Sequence, residues 1–132
     1  MKILVTGTGG YIGSLAARRL LEAGMEVVGV DSCVRGFLQP MEILRKEFGE
    51  RKFRYYKNDI RTEIGSVFGS EPSIDAVMHF AALCNVGESE QSPELYFDNN
   101  VGGVVSLMDA MKDAGVDKLV FSSTCATYGN PE

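Results

Sequence analysis

A glycine-rich turn near the N-terminus carries the clearest chemistry in the sequence. Gly7, Gly10 and Gly13 follow one another at three-residue spacing, between an aliphatic run and an amphipathic segment. Gly7 permits a tight turn, Gly10 has no Cβ to obstruct a phosphate, and Gly13 lets a helix approach a sheet closely. The N-terminus of that helix offers free N–H groups and a positive dipole end. The spacing predicts a pyrophosphate site, and the alternative is a glycine turn without a ligand.

An acidic residue follows where a dinucleotide site requires one. Asp31 lies 18 residues after Gly13, at the end of the second predicted strand. Its carboxylate can accept hydrogen bonds from both adenosine ribose hydroxyls and would repel a 2′-phosphate. Together, the glycine turn and Asp31 predict a dinucleotide cofactor, with NAD favoured over NADP.

Short aliphatic runs alternate with amphipathic segments, which predicts strands alternating with helices. The predicted strands are 2–6, 26–30, 53–57, 75–81 and 117–122, and the predicted helices are 11–23, 40–48, 61–68 and 93–114. Because no hairpin turns separate the strands, the pattern favours βαβ units and a parallel sheet. Right-handed crossovers then predict strand order 3-2-1-4-5 in a Rossmann-type doubly wound α/β fold, with the more polar third strand at an edge.

Helical periodicity predicts which helix faces are buried. On the first helix the apolar face comprises Ile12, Leu15, Ala16, Leu20 and Ala23. On the last helix the residues expected in the core are Phe97, Val101, Val104, Val105, Met108 and Met111.

Composition and charge narrow the classes of function. The 132 residues fit one domain, and the net charge of −5 without a basic face argues against nucleic-acid binding. No apolar stretch approaches a membrane span, and the apolar run at the N-terminus is too short for a signal-peptide core. We therefore expect a cytoplasmic protein without a membrane partner and with reduced cysteines. With a single histidine and no CxxC, no metal site is expected.

Several further segments resemble the extended branch of the short-chain dehydrogenase/reductase superfamily. The GxxGxxG spacing and the stretch Val28-Gly29-Val30-Asp31 match its first two strands, and Asn58-Asp59-Ile60-Arg61 is similar to its adenine-contacting segment. His79-Phe80-Ala81-Ala82 resembles the HxAA segment that lines the cofactor. Within the NAD-dependent epimerase/dehydratase family, the UDP-glucose 4-epimerases are the most similar, on the segments Val86-Gly87-Glu88-Ser89, Asp98-Asn99-Asn100-Val101 and Phe121-Ser122-Ser123-Thr124. The resemblance covers essentially the whole chain and implies a nucleotide-sugar substrate for the intact family member.

The motifs and the resemblance together predict the residues of an NAD site. The predicted cofactor-binding residues are Gly7, Gly10, Tyr11, Ile12, Gly13, Asp31, Ser32, Asp59, Ile60, Phe80, Ala81, Ala82, Cys84, Asn99 and Ser122. The resemblance places Asn99 beside the nicotinamide half, although a plain polar helix residue is an equal alternative. Cys84 stands where close relatives often have a lysine that reaches the cofactor phosphate, so weaker NAD binding is expected.

The resemblance implies one catalytic residue within this chain. Thr124 matches the serine or threonine that helps to orient proton transfer, and its alternative role is that of a β-propensity residue ending a strand. His79 is expected to be structural, and a cysteine–histidine nucleophile pair with Cys84 or Cys125 lacks an orienting third group.

The Tyr-x-x-x-Lys pair of the family mechanism does not occur, since none of the five tyrosines is followed four residues later by lysine. The resemblance places that pair, the sixth strand and the substrate region beyond residue 132. We therefore expect no turnover by the chain alone.

Three hypotheses remain: the N-terminal part of an epimerase, the same part of a dehydratase or other extended-family oxidoreductase, and a non-catalytic NAD-binding or interaction module. The exposed edge of the fifth strand predicts self-association or marginal stability.

Overall fold

One parallel sheet forms the centre of the fold. The structure, a computed structural model, describes residues 1–129, without the side chains of residues 125 and 126. Its five strands lie in the order β3-β2-β1-β4-β5, so the predicted topology is confirmed. The strands are β1 (Lys2–Thr6), β2 (Glu26–Val30), β3 (Phe53–Tyr56), β4 (Ala76–His79) and β5 (Leu119–Phe121).

Helices connect successive strands and cover both faces of the sheet. They are α1 (Tyr11–Glu22), α2 (Leu38–Phe48), α3 (Ile64–Ser70), α4 (Val86–Gln91), α5 (Pro93–Tyr96) and α6 (Gly103–Asp113), with a 3₁₀ turn at Cys125–Tyr128. A π-helical segment, Phe97–Gly102, joins α5 to α6, so the single helix predicted over 93–114 contains a change of winding. The short helix α4 was not predicted. It begins after Asn85, whose side chain accepts a hydrogen bond from the Glu88 N–H at 3.1 Å.

The core is divided by the sheet into two layers. Along β1 the side chains alternate, with Ile3 and Val5 facing α1 and α2, and Leu4 facing α3 and α6. All three side chains are at most 4% exposed. Because both faces of β1 are buried, the strand reads as a continuous aliphatic run.

The predicted buried face of α1 is wrong. Its buried residues are Gly13, Ala17 and Leu21, whereas Ile12 and Leu15 are 60% and 45% exposed. Periodicity favoured the large apolar residues, but the close approach of α1 to the turn after β1 admits only a small residue at Gly13. That contact turns Ile12 and Leu15 outward.

The predicted buried face of the last helix is also wrong, and here too a glycine marks the closest contact of the helix. The buried residues of α6 are Gly103, Leu107, Ala110 and Met111, and only Met111 was predicted. A Cβ at Gly103 would lie 2.8 Å from Ile60 Cδ1, so this glycine marks a close helix contact. The π-helical turn also changes the phase between the two ends of the segment. As a result, four predicted core residues are more than half exposed: Phe97, Val101, Val105 and Met108.

Candidate functional site

A cleft of about 490 Å³ opens at the carboxyl ends of the strands. This volume is in the usual range for a ligand site, and the order β2-β1-β4 places the topological switch point of the sheet beside it. All fifteen predicted cofactor residues lie on its lining, from Gly7 after β1 to Ser122 after β5. Seven further lining residues were not predicted: Val34, Arg35, Gly36, Asn58, Arg61, Leu83 and Leu95.

The glycine turn brings the end of β1 against the beginning of α1. Gly7 has a φ of +76°, a conformation that favours glycine. Its N–H donates to the Val30 carbonyl at 2.8 Å, and its carbonyl accepts the Gly10 N–H at 3.0 Å. A Cβ on Gly13 would lie only 2.1 Å from the Gly7 oxygen, which explains why this position carries glycine.

The N-terminus of α1 faces the cleft and suits a phosphate. Gly10 caps the helix with an extended backbone, and no acidic residue lies in the first turn. The N–H groups of Tyr11, Ile12 and Gly13 have no acceptor within the helix, because the first turn of an α-helix leaves them unmatched. All three residues line the cleft. The donors and the positive helix end together match the needs of a pyrophosphate.

Asp31 lies beside the glycine turn at the end of β2. Its Oδ2 accepts the Gly9 N–H at 2.9 Å and its Oδ1 accepts the Cys33 N–H at 2.7 Å. These two bonds fix the carboxylate on the cleft wall while each oxygen keeps a further lone pair for a ribose hydroxyl. The site therefore offers two carboxylate oxygens that can accept hydrogen bonds from the hydroxyl groups of a ligand.

Asp59 and Arg61 form a charged group after β3. Arg61 donates Nη2 to Asp59 at 2.6 Å and Nη1 to Asp98 at 2.5 Å. Hydrogen bonds from the Arg61 side chain hold the pKa of the Asp59 carboxyl below its ordinary value. Asp59 is thus an ionised acceptor, whereas Arg61 is committed to two carboxylates.

Polar side chains hold the loop after β4 in place. The buried Thr6 hydroxyl accepts the N–H groups of Phe80 and Ala81, each at 3.2 Å. Asn100, in the π-helical segment, accepts the Leu83 N–H at 2.8 Å and donates to the Leu83 carbonyl at 2.9 Å. The neighbouring Asn99 lines the cleft and donates to Asn100 at 2.9 Å.

The sequence did not predict three residues that contribute to the site: Thr6 and Asn100, which hold the loop after β4, and Arg61, which lines the cleft. The usable signal for Thr6 was a hydroxyl at the end of a fully buried aliphatic strand. A buried polar side chain must find partners, and the cleft loop supplies them.

His79 is a structural residue. Its Nδ1 lies 2.7 Å from the Thr6 hydroxyl, and its ring stacks on Phe121 at 5.4 Å between centroids. The Thr6 oxygen already accepts two N–H groups, so the Thr6 hydroxyl donates its own proton to His79 Nδ1. Nδ1 is therefore the unprotonated nitrogen of the neutral ring, and Nε2 carries the ring proton. Burial lowers the pKa of His79, consistent with a neutral imidazole.

Cys84 lies exposed on the cleft lining.

Thr124 is exposed and lies three residues after the last residue of β5. It is not among the residues that line the cleft, and its carbonyl accepts the Thr127 N–H at 3.2 Å. Its catalytic role stays a prediction.

Among the described residues, no group of three histidine, cysteine or acidic side chains could hold a metal ion. In the same part of the chain no helix combines the length and apolar character of a membrane span.

The chain is similar to known proteins over nearly its whole length. The curated relatives include UDP-glucose 4-epimerase of Streptomyces lividans, 47% identical over 99% of this chain and 38% of the relative. A putative UDP-arabinose 4-epimerase 2 of Arabidopsis thaliana is 44% identical over 98% of this chain and 32% of the relative. The chain therefore spans about a third of the length of these relatives.

Solved structures agree with the curated relatives. UDP-glucose 4-epimerase of Stenotrophomonas maltophila, with bound NAD and formylated UDP-arabinopyranose, superposes with a TM-score of 0.90 at 42% identity, over 100% of this chain and 39% of that one. The Bifidobacterium longum enzyme in complex with NAD⁺ and UDP gives 0.90 at 35% identity, with the same coverage of both chains. The model of the NAD dependent epimerase/dehydratase family matches residues 3–132. The chain belongs to the NAD-dependent epimerase/dehydratase family.

Proposed function

We propose that this chain is the NAD-binding part of a nucleotide-sugar 4-epimerase. The observation that carries the proposal is the cleft at the switch point of the sheet, with the N-terminus of α1 on one side and the Asp31 carboxylate on the other. The cleft residues would hold NAD⁺, which would supply a hydride acceptor for oxidation at C4 of the sugar in the intact protein. Interconversion of UDP-glucose and UDP-galactose is the proposed reaction of the intact protein.

Each group of cleft residues has a distinct proposed task. The first turn of α1 binds the pyrophosphate, Asp31 accepts the ribose hydroxyls, and Asp59 accepts the adenine amino group. Asn99, which lines the cleft, is assigned to the nicotinamide half, and Cys84 supplies a thiol rather than a lysine on the loop after β4. Thr6 and Asn100 hydrogen bond to the backbone of Phe80, Ala81 and Leu83, so the loop after β4 is held in place on its side of the cleft.

Asp31→Asn is expected to weaken NAD⁺ binding about tenfold and to reduce the preference for NAD⁺ over NADP⁺. The amide lacks the negative charge that strengthens both ribose hydrogen bonds and repels a 2′-phosphate. Calorimetric titration with each dinucleotide measures both effects. Asp109→Asn, an exposed change on α6, is the matched control and should leave both affinities unchanged. An unaltered NAD⁺/NADP⁺ ratio in Asp31→Asn would contradict the role of Asp31.

We further propose that these 132 residues do not turn over UDP-galactose on their own, because no tyrosine is followed four residues later by lysine. An epimerase assay with UDP-galactose and NAD⁺ tests this directly. Robust turnover would contradict it and would place the catalytic base among these 132 residues. The same absence is what favours the second candidate, a non-catalytic NAD-binding module. The dehydratase alternative predicts loss of water from a nucleotide sugar by the intact protein.

We also propose that these 132 residues, taken alone, either pair with a second copy through the edge of β5 or are marginally stable. This strand ends the sheet, and its residues Val120 and Phe121 are 55% and 53% exposed. An uncovered apolar edge favours pairing with another chain. Sedimentation should show a dimer, and a monomer of high thermal stability would contradict the proposal.

The free thiols of Cys33 and Cys84 support the proposed cytoplasmic location.

A further inference from the structure

An ion pair beside the cleft joins the loop after β2 to α4. Arg35 belongs to the loop after β2, and Glu88 belongs to α4, which follows β4. Arg35 Nη2 lies 2.5 Å from Glu88 Oε1. Because β1 lies between β2 and β4 in the sheet, this pair spans the loop that follows β1, which is the glycine turn.

The loop that carries Arg35 is held against the glycine turn. The Phe37 N–H donates to the Gly9 carbonyl at 2.9 Å, while Asp31 accepts the Gly9 N–H at 2.9 Å. A Cβ at Gly36 would lie 3.0 Å from the Gly9 carbonyl carbon, so the two segments touch. Arg35 therefore extends from a backbone that is fixed beside the N-terminus of α1.

Arg35 and Arg61 are the cationic side chains among the residues placed on the cleft lining. Arg61 is held by Asp59 and Asp98 from two sides. Arg35 has fewer anionic partners than Arg61. In the described part of the chain its ion pair is with Glu88, and its side chain is 58% exposed. Of the two, Arg35 is the guanidinium able to reach a new anion.

Glu88 is held independently of Arg35. Its Oε2 accepts the Tyr96 hydroxyl at 2.7 Å, and its N–H donates to Asn85 Oδ1 at 3.1 Å. If Arg35 moves away, Glu88 keeps a partner and α4 keeps its cap. An exposed ion pair of this kind contributes little stability, so exchanging it for another anion costs little.

We propose that Arg35 binds the pyrophosphate of the dinucleotide and that Glu88 competes with that pyrophosphate for Arg35. This inference rests on the proposed function, because it assigns the cation of the same cofactor site. A guanidinium pairs with phosphate oxygens through two parallel N–H donors, whereas the pair with Glu88 uses one. A pyrophosphate at the N-terminus of α1 would therefore bind Arg35 more strongly than the Glu88 carboxylate does.

The test measures NAD⁺ and ADP-ribose binding by calorimetry with the 132-residue chain and three variants, each checked for folding by circular dichroism. Arg35→Gln should weaken the binding of both ligands by a similar factor, roughly threefold to tenfold. Glu88→Gln, which can still accept the Tyr96 hydroxyl, should tighten both severalfold because it releases Arg35. Arg19→Gln is the matched control, since Arg19 is an exposed arginine paired with Glu22 on α1, and it should change neither.

The opposite signs of the two variants distinguish the proposal from a structural role. If the ion pair only orders the two loops, Arg35→Gln and Glu88→Gln should weaken NAD⁺ binding alike, and that result would overturn the proposal. Equal affinity of Arg35→Gln and the unaltered chain would overturn it while leaving the proposed function intact. Failure of the unaltered chain to bind NAD⁺ would instead remove the proposed function itself.

Salt dependence gives a second readout. Salt screens the attraction between Arg35 and a phosphate, so this contact makes binding weaken with salt in the Glu88→Gln chain, where binding breaks no ion pair of Arg35. The slope of log Kd against log salt should therefore be larger for Glu88→Gln than for Arg35→Gln. Identical slopes would contradict a direct contact between Arg35 and the pyrophosphate.

Discussion

Gly13→Ala is expected to abolish measurable NAD⁺ binding and to lower the free energy of unfolding by about 2 kcal/mol. The added methyl would lie 2.1 Å from the Gly7 carbonyl oxygen, a backbone atom that cannot move alone. Either α1 withdraws or the turn after β1 opens, and both displace the N–H donors proposed to bind the pyrophosphate. The better helix propensity of alanine offsets only about 1 kcal/mol of this cost.

Gly65→Ala is the matched control for that variant. Gly65 lies in α3, and a Cβ there meets nothing within 4 Å. The same substitution should therefore be neutral or stabilising by up to about 1 kcal/mol and should leave NAD⁺ affinity unchanged. Thermal unfolding and calorimetry compare the two variants. A Gly13→Ala chain that unfolds and binds like Gly65→Ala would show that the close contact is unimportant.

The second large effect is expected far from the cleft, at Glu71. This carboxylate is 4% exposed and accepts hydrogen bonds from Arg54 at 2.5 and 2.8 Å, from the Tyr56 hydroxyl at 3.0 Å and from Lys2 at 3.2 Å. Glu71→Gln leaves both cations without their counter-charge. Loss of a buried pair costs several kcal/mol, but Arg54 is about a third exposed, so about 2 kcal/mol is expected.

The pH dependence of the Glu71 effect has a definite sign. Burial raises the pKa of Glu71, but hydrogen bonds from Arg54, Tyr56 and Lys2 outweigh burial and hold the pKa below its usual 4.5. The native state therefore binds the proton less readily than the unfolded chain, and the stabilisation is present above pH 4.5 and lost as the pH falls. Denaturant unfolding should show the gap between the unaltered chain and Glu71→Gln narrowing from pH 6 towards pH 3.

Glu42→Gln, an exposed change on α2, is the control for Glu71 and should shift stability by less than about 0.5 kcal/mol. NAD⁺ affinity should be unchanged in both variants, because Glu71 is remote from the residues that line the cleft. A Glu71→Gln chain as stable as Glu42→Gln at pH 7 would contradict the proposed contribution of this buried carboxylate.

The topology could be predicted from the sequence because strand and helix periods alternate along it. The aliphatic run of β1 and the position of Asp31 relative to Gly13 are local features, so they locate the end of the strand and the acidic group without any tertiary information. Loop residues at the carboxyl ends of parallel strands then have to meet at one edge. That is why fifteen separated residues could be assigned to one cleft.

Features set by tertiary contact could not be predicted in the same way. The choice between two apolar faces of α1 depends on the clash at Gly13, and the phase of α6 depends on a π-helical turn at Phe97–Gly102. The four-residue group around Glu71 joins β1, β3 and the end of α3, so no sequence spacing reveals it. The Arg35–Glu88 pair joins residues 53 positions apart and likewise becomes visible only in the folded chain.

Titration of the 132-residue chain with NAD⁺ by calorimetry, with thermal unfolding in parallel, tests the central claim most directly. We expect a saturable heat of binding and a rise in the unfolding temperature that grows with NAD⁺ concentration. We also expect weaker binding of NADP⁺, because Asp31 repels the 2′-phosphate. Neither heat nor thermal stabilisation at millimolar NAD⁺ would contradict the claim that this cleft is a dinucleotide site.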